Sequence, residues 1–234
     1  MTTSLLNSLL RALLRWGAAL VFCLPLRHRS HFWGRACGML FPLLLLAQLL
    51  DPLAQSTTLW QQQLLLLVLY VSFFALLGGM IYLCTDINKK GAIYCAVWSL
   101  LIAQCAYEGW CYLELYFAKH GHPLNMASPW AVLVQLLSGT VFFAAVYLLL
   151  ARQLPYKGEY YIGPRQLLSS FFIGILFMVQ AAVLDNFRAE QFPQSLVATI
   201  LIGQFYFITL LYFQSELFKK SAMEKEMNAL NLLY

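Results

Sequence analysis

Residues 64–83, LLLLVLYVSFFALLGGMIYL, form an uncharged and almost wholly apolar run. Residues 131–150, AVLVQLLSGTVFFAAVYLLL, have the same character. The hydrocarbon core of a bilayer is about 30 Å thick and is crossed by about 20 apolar residues of α-helix. Each run therefore predicts a transmembrane helix, in which every backbone hydrogen bond is satisfied within the segment.

Five further apolar segments lie along the chain, and the loops between them contain the proline, glycine or charged residues that end helices. They cover about residues 5–26, 37–53, 92–118, 166–184 and 195–213. We predict an all-α fold, a polytopic transmembrane helix bundle of seven spans. The first segment is the weakest of the seven, because Arg11 and Arg15 share one helix face and leave only about 16 Å of uninterrupted apolar helix. If that segment lies on the membrane surface instead, six spans remain.

The composition excludes a soluble globular protein. Hydrophobic residues make up 61% of the chain and charged residues 11%, whereas a soluble domain carries about 25% charged residues. No polar region is long enough for a separate catalytic or ligand-binding domain. The net charge of +5 comes from small basic clusters between apolar runs, not from one basic face, so we predict no nucleic-acid partner. The lipid bilayer is the first predicted partner.

Basic residues alternate between successive loops, which predicts the orientation. One set of loops, taken with the C-terminal tail, holds Arg27, Arg29, Arg35, Lys89, Lys90, Arg152, Lys157, Arg165, Lys219 and Lys220. The other set holds Lys119 and Arg188. Loops rich in lysine and arginine stay in the cytoplasm. We therefore predict a multi-pass protein of the cell membrane with a cytoplasmic C-terminus.

The C-terminal tail, ELFKKSAMEKEMNALNLLY from Glu216, is charged and helical in pattern. Its apolar residues at intervals of four, three and four match the a/d stripe of a dimeric coiled coil. They are Met223, Met227, Leu230 and Tyr234. We predict two parts, a transmembrane sensor domain over residues 1–215 and a cytoplasmic signalling helix over 216–234 that starts a coiled coil in a homodimer. An amphipathic helix on the inner leaflet is the alternative.

The chain lacks the usual signatures of catalysis. All four histidines (His28, His31, His120, His122) lie in predicted loops, so the chain contains no HExxH helix. His120 and His122 share one turn, but two imidazoles are too few ligands for a metal site. No phosphate-binding glycine loop is present. We predict no catalytic residue, no cofactor and no metal. His31 and Cys37, six residues apart, keep a membrane peptidase open as an alternative.

Residues 104–116, QCAYEGWCYLELY, place two carboxylates in an otherwise apolar segment. Intramembrane carboxylates are expensive and by default mark a site. Counted from Gly91, Glu108 lies about 25 Å along the helix, near the outer interface. We predict an external ligand site formed by acidic and aromatic residues, namely Tyr107, Glu108, Trp110, Glu114, Trp130 and Asp185. An interfacial aromatic belt with solvated carboxylates is the alternative, and for Gln104 and Gln204 we predict hydrogen bonds between helices.

Residues 83–117, 152–172 and 185–234 together resemble the membrane input domain of bacterial sensor histidine kinases of the accessory-gene-regulator type, which carry a GHKL ATPase domain. The resemblance lies in the order of segments, the loop CTDINKKG and the helix that leaves the membrane. It implies a two-component, quorum-sensing receptor for an extracellular peptide or small-molecule signal, with a downstream kinase domain and a response regulator as partners.

No histidine follows His122, so the phospho-accepting residue of that family has no counterpart in this chain. The resemblance therefore implies the input half of a longer kinase and no enzyme within these residues. A membrane transport or structural module with the same spans is the alternative function.

Overall fold

The computed structural model describes residues 2–55, 59–121, 129–153, 162–187 and 194–231, and this part of the chain is helical. Each of the seven predicted apolar segments falls in its own α-helix, which confirms the all-α fold. The helices are α1 (Thr2–Cys23), α2 (Phe32–Gln55), α3 (Leu59–Cys84), α4 (Lys89–Lys119), α5 (Pro129–Leu149), α6 (Pro164–Phe187) and α7 (Gln194–Asn231), with a 3₁₀ turn at Ala151–Gln153.

Four of the helices contain stretches long and apolar enough to cross a membrane. These stretches are Phe32–Leu49 in α2, Leu64–Cys84 in α3, Trp130–Leu149 in α5 and Ala198–Leu217 in α7. Many of their large apolar side chains are exposed on the outside of the bundle, Leu64 at 67% and Val141 at 69% among them. Such surfaces belong in lipid. The chain therefore has the helices of a membrane protein, and the full number of seven spans stays a prediction.

Helix α4 forms the centre of the bundle. It packs against α1, α3, α5, α6 and α7, and its residues are buried without interruption from Tyr94 to Cys105. A helix surrounded by protein does not need a uniformly apolar surface, because its polar side chains find partners among its neighbours. This position explains why α4 tolerates glutamine and glutamate where α3 and α5 are almost purely apolar.

Helix α1 lies within the bundle and runs antiparallel to α4. Ala12, Ala18 and Cys23 have no exposed surface. Phe22 of α1 packs against Trp98 of α4, with ring centroids 6.2 Å apart. Arg11, which precedes Phe22 on α1, contacts Tyr107, which follows Trp98 on α4. The two helices therefore run in opposite directions. Helix α1 is therefore an integral part of the bundle, but it is not among the four helices apolar enough to cross a membrane, so the choice between seven and six spans stays a prediction.

The α1–α2 and α3–α4 loops are joined by backbone hydrogen bonds, an arrangement that we call the loop clasp (residues 27–29 and 84–86). The amide of Arg29 donates to the Cys84 carbonyl over 3.0 Å, and the amide of Asp86 donates to the Arg27 carbonyl over 2.8 Å. His28 and Thr85 form an antiparallel β-bridge between them. The two loops therefore lie at the same end of the bundle, as the predicted orientation requires.

Helix α7 is continuous across the predicted boundary between residues 215 and 216. Its 38 residues correspond to about 57 Å of helix. About 21 Å of this length follows Leu217, where the apolar stretch ends. Met223 and Met227 of the predicted stripe are 59% and 63% exposed. The side chain of Leu230, and Tyr234 as a whole, lie outside the described part, so the coiled coil stays a prediction.

Candidate functional site

The residues of the predicted ligand site lie on three helices. Four of them, Tyr107, Glu108, Trp110 and Glu114, belong to α4. Trp130 begins the apolar stretch of α5 and is 65% exposed, on the outside of the bundle. Asp185 belongs to α6, and its side chain is not among those described. The structure buries Glu108 and Trp110 in the bundle, leaves Tyr107 and Glu114 half-buried, and places Trp130 on the surface.

Glu108 is only 1% exposed. Its Oε1 atom accepts a hydrogen bond of 2.9 Å from Nε2 of Gln104, one helical turn earlier on α4. The solvated position expected of a belt residue is therefore wrong for Glu108, and its carboxylate does not face an open outer mouth. The reason is packing, because this turn of α4 lies against α1. The hydrogen bond of Gln104 also lies within one helix, where we predicted one between helices.

Two arginines of α1 enter the bundle among aromatic rings. Arg11 donates a hydrogen bond of 2.6 Å from Nη2 to the Tyr107 hydroxyl, and its guanidinium carbon is 4.4 Å from the centre of the same ring. Arg15 is 5% exposed and lies 3.8 Å from the ring centre of Phe73 on α3. A guanidinium at such distances is attracted by the ring. The two arginines thus tie α1 to both α3 and α4.

These cations and the buried carboxylate lie in one region of the bundle. Arg11 bonds to Tyr107, the residue that precedes Glu108 on α4. Arg11, Arg15, Glu108 and Glu114 each take part in further interactions. Buried charges persist when they lie near opposite charges and hydrogen-bond donors. We call these residues, with Gln104 and Tyr107, the polar network, and its evident role is to fix α1 against α3 and α4.

In the sequence, Arg11 and Arg15 interrupt the first apolar segment, and we predicted no partners for them. Their spacing of four residues places both on one helix face, and the acidic segment 104–116 offers a complementary charge. These two observations together were the available signal for the polar network. The partner of each arginine still depended on how α1 is aligned with α4, which the sequence does not state.

Trp110 marks a second, separate feature of α4. It is 4% exposed, and its indole Nε1 atom is buried without a hydrogen-bond partner among the described residues. The ring lines a cavity of about 220 Å³ between α4, α5 and α7, to which Ser138 of α5 and Leu201 of α7 also contribute. Buried indole N–H groups usually have a partner. The Nε1 atom is enclosed by neighbouring atoms, so it is Trp110 as a residue, and not its N–H group, that borders the cavity.

A larger cavity of about 540 Å³ continues from the first along the same three helices. Phe142 of α5 and Phe205 of α7 line both cavities, and we call the two neighbouring cavities together the interhelical cleft. Its wall is almost wholly apolar, with Thr209 and Tyr212 contributing the hydroxyl groups of the larger cavity. No sequence signal pointed to this cleft, because it arises from the separation of α5 and α7 over α4.

Among the described residues, Gln204 of α7 does not form the interhelical hydrogen bond that we predicted for it. It is completely buried, yet neither of its amide atoms has a hydrogen-bond partner among the described residues. Its neighbour Gly203 lies close to the side chain of Gln180 on α6, whose Nε2 atom would be 3.2 Å from a Cβ at that position. The contact between α6 and α7 therefore depends on a small residue at 203 rather than on a glutamine hydrogen bond.

His31 and Cys37, the residues of the peptidase alternative, are both exposed. His31 has a positive φ of 57°, and its carbonyl accepts the amide of Arg35 over 3.1 Å at the start of α2. His31 thus stabilises the first turn of α2. Within the described ranges no group of three or more histidine, cysteine, aspartate or glutamate residues is arranged to hold a metal ion; His122 lies outside them.

Comparison with known proteins adds no assignment. No family model, no curated protein and no solved structure matches this chain. The likeness to sensor kinases consequently stays a prediction from the sequence, and the function has to be argued from the geometry of the helices.

Proposed function

We propose that this chain is the membrane input module of a two-component sensor histidine kinase of the accessory-gene-regulator type. In this proposal it detects an extracellular peptide or small molecule and passes the signal through α7 to a kinase domain. One observation carries the proposal, the continuity of α7 from Gln194 to Asn231. An uninterrupted helix joins the apolar stretch that ends at Leu217 to a charged segment beyond it.

A continuous helix is suited to this role because it transmits rotation or translation along its axis. Helix shifts of about 1–2 Å are a common element of switching transitions. Within the bundle α7 packs against α4 and α6, and it lines the interhelical cleft from Leu201 to Tyr212. A rearrangement of α4, α6 or the cleft would therefore displace α7, and the displacement would reach residues beyond the membrane.

The end of α7 supports a homodimer in the same proposal. Met223 and Met227 are exposed and lie four residues apart, on the side of the helix that the a/d pattern assigns to a partner. Two copies of α7 aligned along this stripe would present the paired helices that a dimeric kinase core requires. The kinase domain and its response regulator are the further partners in this proposal.

The test is a chimera in which residues 1–231 are fused in helical register to the catalytic core of a histidine kinase. One to four alanines are inserted after Lys220, an exposed position of α7, and autophosphorylation is measured in membrane vesicles. Because a helix turns once every 3.6 residues, we expect output to change with one or two insertions and to return towards its starting level with four.

The matched control places the same insertions between α4 and α5, where they do not rotate the kinase core about the axis of α7. Autophosphorylation that does not change with the insertions after Lys220, or that falls steadily with their number, contradicts signal transfer through α7. Solute flux into vesicles that contain the chain alone, together with output insensitive to helical phase, would support the transport alternative instead.

A further inference from the structure

We propose that the end of the bundle that carries the loop clasp binds the headgroup phosphates of anionic phospholipids, with Lys89 and Lys90 at the start of α4 as the principal contacts. The proposal concerns a lipid-binding surface and does not rest on the sensor function. Three features of this end carry it: the level at which its cations lie, the lack of carboxylate partners for four of them among the described residues, and a recess that two of them line.

The cations of this end lie close to the points where the apolar stretches end. The stretch of α3 ends at Cys84, that of α5 at Leu149 and that of α7 at Leu217, and the stretch of α2 begins at Phe32. Seven exposed or half-buried cations lie at most six residues from one of these points, namely Arg27, Arg29, Arg35, Lys89, Lys90, Arg152 and Lys220. Such points mark the boundary between hydrocarbon and headgroups. The cations therefore lie at the depth of lipid phosphates.

Helix packing brings these four points to one end of the bundle. The loop clasp joins the segment before α2 to the end of α3. Helix α7 runs antiparallel to α4, because Leu113 shares a cavity with Leu201 while Ile102, earlier on α4, shares one with Tyr212. Leu150, just beyond α5, also borders the cavity of Ile102. The ends of α5 and of the α7 apolar stretch therefore lie towards the start of α4, and the cations from all four connections surround one end.

The positive charge of this end is largely uncompensated within the part of the chain that the structure describes. One ion pair joins Nη2 of Arg29 to Oδ1 of Asp86 over 3.9 Å, and both of its side chains are partly exposed. Among the described residues no carboxylate lies within ion-pair distance of four other cations, which are Arg27, Lys89, Lys90 and Arg152. An anionic headgroup supplies the opposite charge, and each lysine or arginine near an anionic membrane surface strengthens the attraction.

The start of α4 concentrates this charge in one place. Lys89 and Lys90 line a recess together with Asn88 and Ile162. The Asn88 side chain caps the helix by accepting the Gly91 amide over 2.7 Å, and the amides of the two lysines have no acceptor within the helix. The positive end of the helix dipole adds to the two ammonium charges. A phosphate in the recess therefore meets two cationic side chains and the first turn of a helix.

Apolar side chains beside the recess favour a phospholipid over a soluble phosphate. Ile93 lies one turn after the two lysines, on the same face of α4, and is 36% exposed. Leu83 and Trp33, which flank the loop clasp, are 44% and 61% exposed. A lipid whose phosphate lies at the cations keeps its acyl chains against these side chains, whereas a soluble phosphate gains nothing from them. The arrangement of charge above apolar surface matches the arrangement within a phospholipid.

The experiment places the whole chain in nanodiscs made of equal amounts of phosphatidylcholine and phosphatidylglycerol. A photoactivatable headgroup on one lipid or the other labels the protein, and the labelled residues are mapped by mass spectrometry. We expect the phosphatidylglycerol probe to label residues 83–93 about fivefold more strongly than the phosphatidylcholine probe. At the opposite end of α4, around Lys119, we expect no preference. Equal labelling of residues 83–93 by the two probes would overturn the proposal.

The role of the two lysines is tested with Lys89→Gln and Lys90→Gln, singly and together. Both side chains are exposed, so the substitutions leave the core packing unchanged. We expect phosphatidylglycerol labelling of the recess to fall about fivefold for each lysine removed and to be retained when both are replaced by arginine. Lys119→Gln is the matched control, because it removes one exposed cation from the other end of the same helix. Labelling that is unchanged in the double glutamine variant contradicts the proposal.

Two measurements on the unmodified chain complete the test. Salt screens charges at a membrane surface, so we expect the preference for phosphatidylglycerol to decrease as the salt concentration rises, and a preference that salt does not alter would count against the cations. Glycerol phosphate in the buffer separates the two sources of phosphate. We expect it not to displace the lipid probe, and displacement would identify a site for soluble phosphates in place of a phospholipid.

Discussion

Gln104 and Glu108 are hydrogen-bonded to each other on α4, with Nε2 and Oε1 2.9 Å apart, and both side chains are buried. This pair fixes the carboxylate within α4 on the turn that packs against α1. Glu108 is therefore enclosed in the bundle, whereas the sequence predicted a carboxylate near the outer mouth.

The first prediction concerns the charge of Glu108. Glu108→Gln keeps the shape and removes the negative charge, so the buried hydrogen bond from Gln104 loses its charged acceptor; hydrogen bonds to charged groups contribute about 1.5–3 kcal/mol. We expect a lower thermal unfolding midpoint for the purified protein in detergent. Glu224→Gln is the control, because Glu224 is exposed on the part of α7 beyond its apolar stretch. An unchanged midpoint for Glu108→Gln, with a weaker ligand response in the chimera, would favour the ligand-site prediction.

The second prediction concerns the contact between Arg11 and Tyr107. A double-mutant cycle of Arg11→Met and Tyr107→Leu, which removes both the hydroxyl and the ring, isolates the pairwise energy from the effects of each change alone. We expect a coupling free energy of about 1–2 kcal/mol, since the pair combines a hydrogen bond with a cation–π contact. The cycle is measured by denaturant unfolding in mixed micelles. Strict additivity of the two substitutions would show that the contact does not stabilise the α1–α4 packing.

The orientation of the chain gives the third prediction. The excess of lysine and arginine in alternate loops predicts that the end of α7 lies in the cytoplasm. A reporter that is active only in the cytoplasm is expected to be active when fused after Tyr234. The same reporter inserted after Gly121, at the end of α4 away from the loop clasp, is expected to be inactive. The reverse pattern would invert the whole topology.

The dimer stripe gives the fourth prediction. Cysteines introduced at Met227 or Leu230 are expected to form disulfide-linked dimers in membranes, in a background where the exposed Cys37 is replaced by alanine. Glu224 is the control, because it is exposed and lies off the stripe. Crosslinking is read by non-reducing electrophoresis. If the Glu224 position crosslinks as efficiently, the coiled-coil register is wrong.

The helices were predictable from the sequence because the signal for them is local. Twenty apolar residues between loop residues mark a membrane helix whatever the rest of the chain does. The predicted division at residue 216 rested on composition alone, and the helix passes through it. The reason is that neither glycine nor proline lies between residues 204 and 231, and the residues beyond the boundary are mainly leucine, glutamate, lysine and methionine, which are good helix formers.

The surroundings of the candidate site were not predictable because they depend on how distant helices are aligned. Arg11 and Tyr107 are 96 residues apart in sequence, and their contact requires α1 and α4 to be antiparallel in one register. The interhelical cleft likewise exists because α5 and α7 lie on α4 without closing over it. A single sequence contains the side chains for both features but no information on which helix faces which.

The loop clasp has a mechanical consequence. By joining residues 27–29 to residues 84–86 it links the α1–α2 and α3–α4 hairpins at one end, and Arg11 and Arg15 bind α1 to α3 and α4 farther along. These contacts oppose sliding of the four helices past one another. The sensor function proposed above then assigns the signalling movement to α5, α6 and α7, and hydrogen exchange tests this assignment: we expect the amides of Arg29 and Asp86 to exchange more slowly than those near Asn231 of α7.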